Sequence, residues 1–159
     1  MRPKTSWTRN SVSGGSSARI EMSIEVKAPP EKVFALITDV ERYPERFEGY
    51  ENVEVTSESR KGMFMTYRVH ETRENRYMER YMECTDWVED ERFAFRMLAG
   101  PFGMEFEGAF ELRPIKEGTQ VTLVYECVLP EDWGMGEDVV ARITEGFLEK
   151  MKGLLEEGT

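Results

Sequence analysis

Two arginines stand in runs that are otherwise rich in apolar and aromatic residues. Arg80 follows Tyr77-Met78-Glu79, and Arg96 follows Phe93-Ala94-Phe95. A guanidinium on an apolar wall could polarise a ligand carbonyl or pair with a carboxylate. The competing expectation is that each covers an outer face or pairs with nearby glutamates. Arginine does not lose its proton and so makes a poor base. A dehydration would therefore also need a tyrosine, Tyr50 or Tyr125, or a bound water, to carry protons. On this reading Arg96 and Tyr50 are the catalytic candidates.

Other chemistries find little support. His70 is the single histidine. Its strand parity groups it with Arg68 and Thr72, opposite Tyr67 and Val69, which points it to solvent. No Cys, Asp or second His stands at metal-ligand spacing from it, and no catalytic triad is evident. The glycines at 100, 103, 108 and 118 belong to turns and a strand, so no phosphate-cradling loop is expected. Cys84 and Cys127 form no CxxC pair and read as reduced, buried thiols. Neither a metal nor a cofactor is expected.

These side chains must be positioned by a small core. The chain has 159 residues with 40% hydrophobic and 33% charged side chains, a globular profile for one domain. Of the net charge of -10, residues 1–19 contribute +4, leaving -14 on the remainder. So acidic a body repels nucleic-acid phosphates and anionic membrane surfaces. No apolar run approaches the ~20 residues of a membrane-spanning helix, so no stable membrane insertion is expected. Residues 1–18 are polar, basic and without hydrophobic period, and read as a disordered tail. They are equally compatible with a targeting segment or an early start codon. The domain is placed at 19–159, in the cytoplasm, as a monomer or weak homodimer.

Along the domain the hydrophobic period alternates between two and three-to-four. Ile20, Met22, Ile24 and Val26 mark a first strand. Val33, Phe34 and Ile37 mark a short helix opened by Pro30. Asp39 is placed to cap a second, with Val40, Tyr43 and Phe47 facing inward. From Tyr50 to Leu129 strands follow one another through short turns, an antiparallel meander. Their inward positions include Val53, Met63, Met65, Tyr67, Met97, Met104, Phe106, Phe110 and Tyr125. The long strand at 75–87 has two possible registers. One hides Met78, Arg80, Met82 and Cys84; a slip by one hides Tyr77, Glu79, Tyr81 and Glu83 instead. The first is preferred, because it buries methionines and leaves glutamates in water. A last amphipathic helix at 136–157 presents Val139, Val140, Ile143, Phe147, Met151, Leu154 and Leu155. At 1.5 Å per residue it runs for roughly 30 Å, enough to cross a sheet. Gly146 and Gly153 interrupt it, either to make room for a ligand or to allow close contact with the sheet. The expected fold is α+β: a seven-stranded curved antiparallel sheet around a long C-terminal helix, with two short helices between strands one and two. Ten methionines suit either core filling or a forgiving cavity wall.

Three segments resemble the polyketide cyclase/dehydrase and coenzyme Q-binding families of the START-like, Bet v 1-like helix-grip superfamily. They are Asp39-Val40-Glu41-Arg42-Tyr43-Pro44 with Phe47, the stretch 99–114 with Gly100-Pro101-Phe102 and Phe110, and 118–126. The resemblance implies a deep apolar cavity for a lipid, quinone or polyketide. It places Tyr43 where the aromatase/cyclase branch usually has tryptophan, Tyr50 at a cavity tyrosine, Arg96 at a cavity arginine and Phe110 on the inner face. Cys84 falls where that branch carries an arginine, a departure from its pattern. The expected ligand-contacting set is Tyr43, Phe47, Tyr50, Met78, Arg80, Met82, Arg96, Phe106, Phe110, Tyr125, Ile143 and Phe147. Three functions follow: a carrier or binding protein for an apolar small molecule, a polyketide aromatase/cyclase, or a regulatory protein that binds a partner.

Overall fold

Period-two alternation becomes an antiparallel sheet in which each expected apolar row faces a single core. A computed structural model of the chain describes residues 4–12, 15–130 and 137–157. Ile20, Met22, Ile24 and Val26 are all buried on strand β2 (Gly15–Val26). Helices α1 (Pro30–Thr38) and α2 (Tyr43–Arg46) follow, linked by a 3₁₀ turn at Val40–Arg42. Then come β3 (Tyr50–Val55), β4 (Thr66–Arg73), β5 (Arg76–Val88), β6 (Arg92–Ala99), β7 (Glu105–Ile115) and β8 (Gly118–Pro130). Helix α3 (Glu137–Glu157) closes the chain. Consecutive strands pair antiparallel from β3 to β8, and β2 returns to pair with β8. Register shifts between Tyr50 and Asn52, Tyr81 and Met82, and Cys84 and Asp86 interrupt the ladders. Such bulges bend strands and let a sheet curl over a helix. This is the helix-grip architecture that the periodicity and the resemblance both implied.

An eighth strand adds to the seven expected. β1 (Lys4–Val12), assigned from its composition to a disordered tail, pairs antiparallel with β2, from Lys4 opposite Ser23 to Val12 opposite Gly15. The edge of β2 offers unpaired backbone N–H and C=O groups, and pairing with them requires no hydrophobic period. Residues 1–3 and 13–14 of that segment lie outside the described residues, as do 131–136 before α3 and the last two residues.

Other local expectations need correction. Asp39 caps no helix with its side chain; its carboxylate reaches Arg42 at 3.6 Å and Arg46 at 3.5 Å instead. Met63 is 51% exposed because it precedes β4, in the connection where Phe64 has a positive φ. On α3 the fully buried stripe is Thr144, Leu148, Met151 and Leu155, spaced four, three and four. The expected stripe shares Met151 and Leu155 with it but misses Thr144 and Leu148, and Val140, Ile143 and Phe147 are only partly buried. That flank lines a cavity.

Helix α3 is tied down at both halves. Tyr125 on β8 is hydrogen-bonded to Thr144. Lys152 Nζ donates to the Glu25 carbonyl at 2.9 Å, and Glu156 accepts from the Lys27 amide at 2.9 Å. A methyl group at Gly146 or Gly153 would meet nothing within 4 Å, so neither glycine is there for close sheet contact. Among the described residues no helix is long and apolar enough to cross a membrane.

Candidate functional site

Strand register assembles a cavity of about 170 Å³ between the sheet and α3. On β4 the inward row continues past Tyr67 and Val69 to Glu71 and Arg73; on β5 it runs Met78, Arg80, Met82. Glu71 lies opposite Met78, so Arg80 is its diagonal neighbour, within reach of a long side chain. On β3, Tyr50 lies opposite Glu71. The register with Met78, Arg80, Met82 and Cys84 inward is therefore the one adopted.

The result is a buried polar cluster in an apolar wall. Arg80 Nε approaches Glu71 Oε1 at 2.5 Å, and Arg73 Nε donates to Glu71 Oε2 at 3.0 Å. Arg73 also donates to the Glu48 carbonyl at 2.6 Å and lies 4.8 Å above the Tyr50 ring. Gly49 permits that placement: it has φ +93°, and a β-carbon there would stand 2.2 Å from the Arg73 guanidinium. Arg80 lies 5.8 Å from the centre of the Phe106 ring. Burial lowers the Arg80 pKa, but the Glu71 carboxylate together with the Tyr50 and Tyr67 hydroxyls leaves the group above its usual value.

Across from the cluster the wall is aromatic. Phe93 and Phe95 on β6 lie against Phe106 and Phe110 on β7 with ring centres 5.7 to 6.4 Å apart. Gly108 lies between Phe95 and Tyr125 in the ladder, where a β-carbon would come within 2.5 Å of Tyr125 Cβ. Its missing side chain lets the Phe106 and Tyr125 rings approach to 4.9 Å. Val140, Ile143, Thr144 and Phe147 of α3 form the roof. One end is closed by Tyr43, whose hydroxyl donates to the Ile37 carbonyl at 2.5 Å.

Burial raises the pKa of Tyr43, Tyr50, Tyr67 and Tyr125, with the Glu71 carboxylate adding to the effect at Tyr50. All four stay neutral at ordinary pH. Burial also pushes the Cys84 thiol up to about 11. Cys84 lies beneath the wall, not in it, and donates to the Asp86 carbonyl at 3.3 Å. Among the described residues no group of three His, Cys, Asp or Glu is placed to hold a metal.

Of the residues expected to contact a ligand, Tyr43, Tyr50, Met78, Arg80, Met82, Phe106, Phe110, Tyr125, Ile143 and Phe147 line this cavity. Phe47 does not; it stacks behind Phe147 at 3.9 Å. Arg96 is a correction. It is on the outer face, in an ion pair with Glu83 at 3.0 Å, because the inward positions of β6 go to Phe93 and Phe95. His70 takes the outer face as expected, 3.4 Å from Glu79. Glu71 and Arg73 were missed, although the parity running from Tyr67 through Val69 points to both.

A family model described as polyketide cyclase/dehydrase and lipid transport matches residues 17–156. None of the curated proteins matches the chain in sequence. Among solved structures, a START superfamily protein from Mycobacterium smegmatis has a TM-score of 0.75 at 15% identity, over 89% of this chain and 99% of that one. The Zhui aromatase/cyclase from a Streptomyces species gives 0.73 at 19% identity, over 88% and 94%. A protein from Thermus thermophilus gives 0.68 at 25% identity, over 87% and 94%. At under 25% identity the first two likenesses speak for the fold alone.

Proposed function

Because the chain belongs to the polyketide cyclase/dehydrase and lipid transport family, we propose that it binds an apolar small molecule in the cavity between sheet and α3, as a carrier or binding protein. The observation that carries this reading is the cavity itself, walled by aromatic and methionine side chains with few polar groups. Its size narrows the ligand. Apolar cavities of ~150 Å³ take a benzene ring, so about 170 Å³ suits a ligand of one or two rings.

The aromatase/cyclase reading draws on Arg80 beside two neutral tyrosines, Tyr50 and Tyr67, which could polarise and protonate a carbonyl. It also needs a proton acceptor. The carboxylate in the cavity, Glu71, is bridged by both arginines, which favours binding over chemistry. The partner-binding reading has no comparable feature in its support.

Calorimetric titration with 2-naphthol tests the proposal. Saturable binding at one site is expected, and Ile143→Trp, which fills the roof of the cavity, abolishes it. Absence of saturable binding by folded wild-type protein, or unchanged binding by the variant, refutes the proposal.

A further inference from the structure

The charges inside the cavity do not balance, and the imbalance bears on what it holds. Resting on the binding function proposed above, the inference concerns the ligand's charge. Among the described residues one carboxylate, Glu71, faces two guanidiniums, Arg73 and Arg80, and no other Asp, Glu, Lys or Arg lines the cavity. Their side chains are 5%, 13% and 13% exposed. Arginine keeps its proton throughout the range in which proteins fold. The cavity therefore carries one positive charge in excess, and a charge in apolar surroundings is costly until it is paired.

The two arginines are not equally engaged. Arg73 donates to Glu71 and to the Glu48 carbonyl, and its face covers Tyr50. Arg80 approaches Glu71 with Nε, as an ion pair without hydrogen-bond geometry. Its Nη1 has only the Met82 sulfur, at 4.0 Å, and sulfur is a weak acceptor. Among the described residues no oxygen accepts from the two Nη groups of Arg80. They form a ready fork for a planar, two-oxygen anion. The tyrosines beside them can donate a hydrogen bond but supply no negative charge. A dianion would reverse the imbalance, whereas a monoanion cancels it.

We infer that the ligand is an aromatic monoanion, a ring or ring pair bearing one carboxylate, with the acid on Arg80 Nη and the rings against Phe106 and Phe110. Titration of the folded protein at pH 7.5 with 2-naphthoate and with 2-naphthamide, its neutral isostere, tests this. Naphthoate is expected to bind at least tenfold tighter. Arg80→Gln is expected to weaken naphthoate at least fivefold more than naphthamide, and Arg80→Lys, which keeps the charge but not the fork, to retain the preference only in part. Equal affinity of the two probes for the wild-type protein overturns the inference and leaves the binding function standing. Binding of neither overturns both.

Discussion

Replacing Glu71 by Gln should be among the most damaging single changes in this protein. The side chain is 5% exposed and each carboxylate oxygen meets a guanidinium, at 2.5 Å from Arg80 and 3.0 Å from Arg73. The amide keeps the shape but leaves both cations without a counter-charge. Breaking a buried ion pair from one side costs about 3–5 kcal/mol, against about 0–1 for an exposed pair. With a urea dependence of about 2 kcal/mol per molar, the unfolding midpoint should fall by about 2 M. Equilibrium unfolding followed by circular dichroism measures the shift. The double variant Glu71→Leu with Arg80→Met should be more stable than Glu71→Leu alone by at least about 1 kcal/mol, because it removes one stranded charge and the two sites are in contact. A midpoint shift below about 0.5 M for Glu71→Gln, or strict additivity in the double variant, refutes the idea that this carboxylate holds the cluster.

Three further outcomes follow. Spectrophotometric titration should find Tyr43, Tyr50, Tyr67 and Tyr125 un-ionised while the fold survives, because their raised pKa values give stability that is full below about pH 10 and lost as pH rises above it; reversible ionisation of all six tyrosines near pH 10 in folded protein speaks against this. Gly146→Ala and Gly153→Ala should each raise stability by about 0.5–1 kcal/mol, since a β-carbon at either meets open space; a fall in melting temperature would show that the positions are constrained. Glu156 has a lowered pKa, held down by Lys152 and by the Lys27 amide, so its contribution is present above about pH 4.3 and lost as pH falls below it; Glu156→Gln should lower the melting temperature at pH 7 but not at pH 3, and an equal loss at both would exclude the charge as the cause.

Periodicity revealed most of this molecule because a curved sheet over one helix has a single inside. Once Met78 and Met82 were hidden and Glu79 and Glu83 wetted, the facing of β5 as far as Cys84 followed, and Arg80 came inward with it; beyond the register shift at Cys84–Asp86 it is Trp87 that packs on Phe34. Arg96 was placed inward by family alignment, against its own strand's parity, and there the reading failed. Arg96 has the opposite parity to Phe93 and Phe95, so it had to face out. Glu71 was overlooked for a related reason. A carboxylate on an inward row looks like a fault in the pattern until its diagonal partner Arg80 is known, and diagonal partners depend on register across two strands. Backbone pairing of Lys4–Val12 with β2 leaves no hydrophobic signature at all. The α3 face was misjudged because a cavity, unlike a packed core, leaves half-buried the apolar side chains that line it, so Leu148 was passed over while Ile143 and Phe147 were chosen.

The central claim, a ligand held between the sheet and α3, can be read from the methionine methyl groups. Met78, Met82 and Met104 line the cavity, Met22, Met65 and Met151 are buried away from it, and Met63 is exposed. With methyl-labelled methionine, saturating 2-naphthoate should shift the nuclear magnetic resonance signals of Met78, Met82 and Met104 and leave Met63 and Met22 in place. Shifts confined to Met63, or none at all in protein that binds the compound, would put the ligand elsewhere and contradict the account.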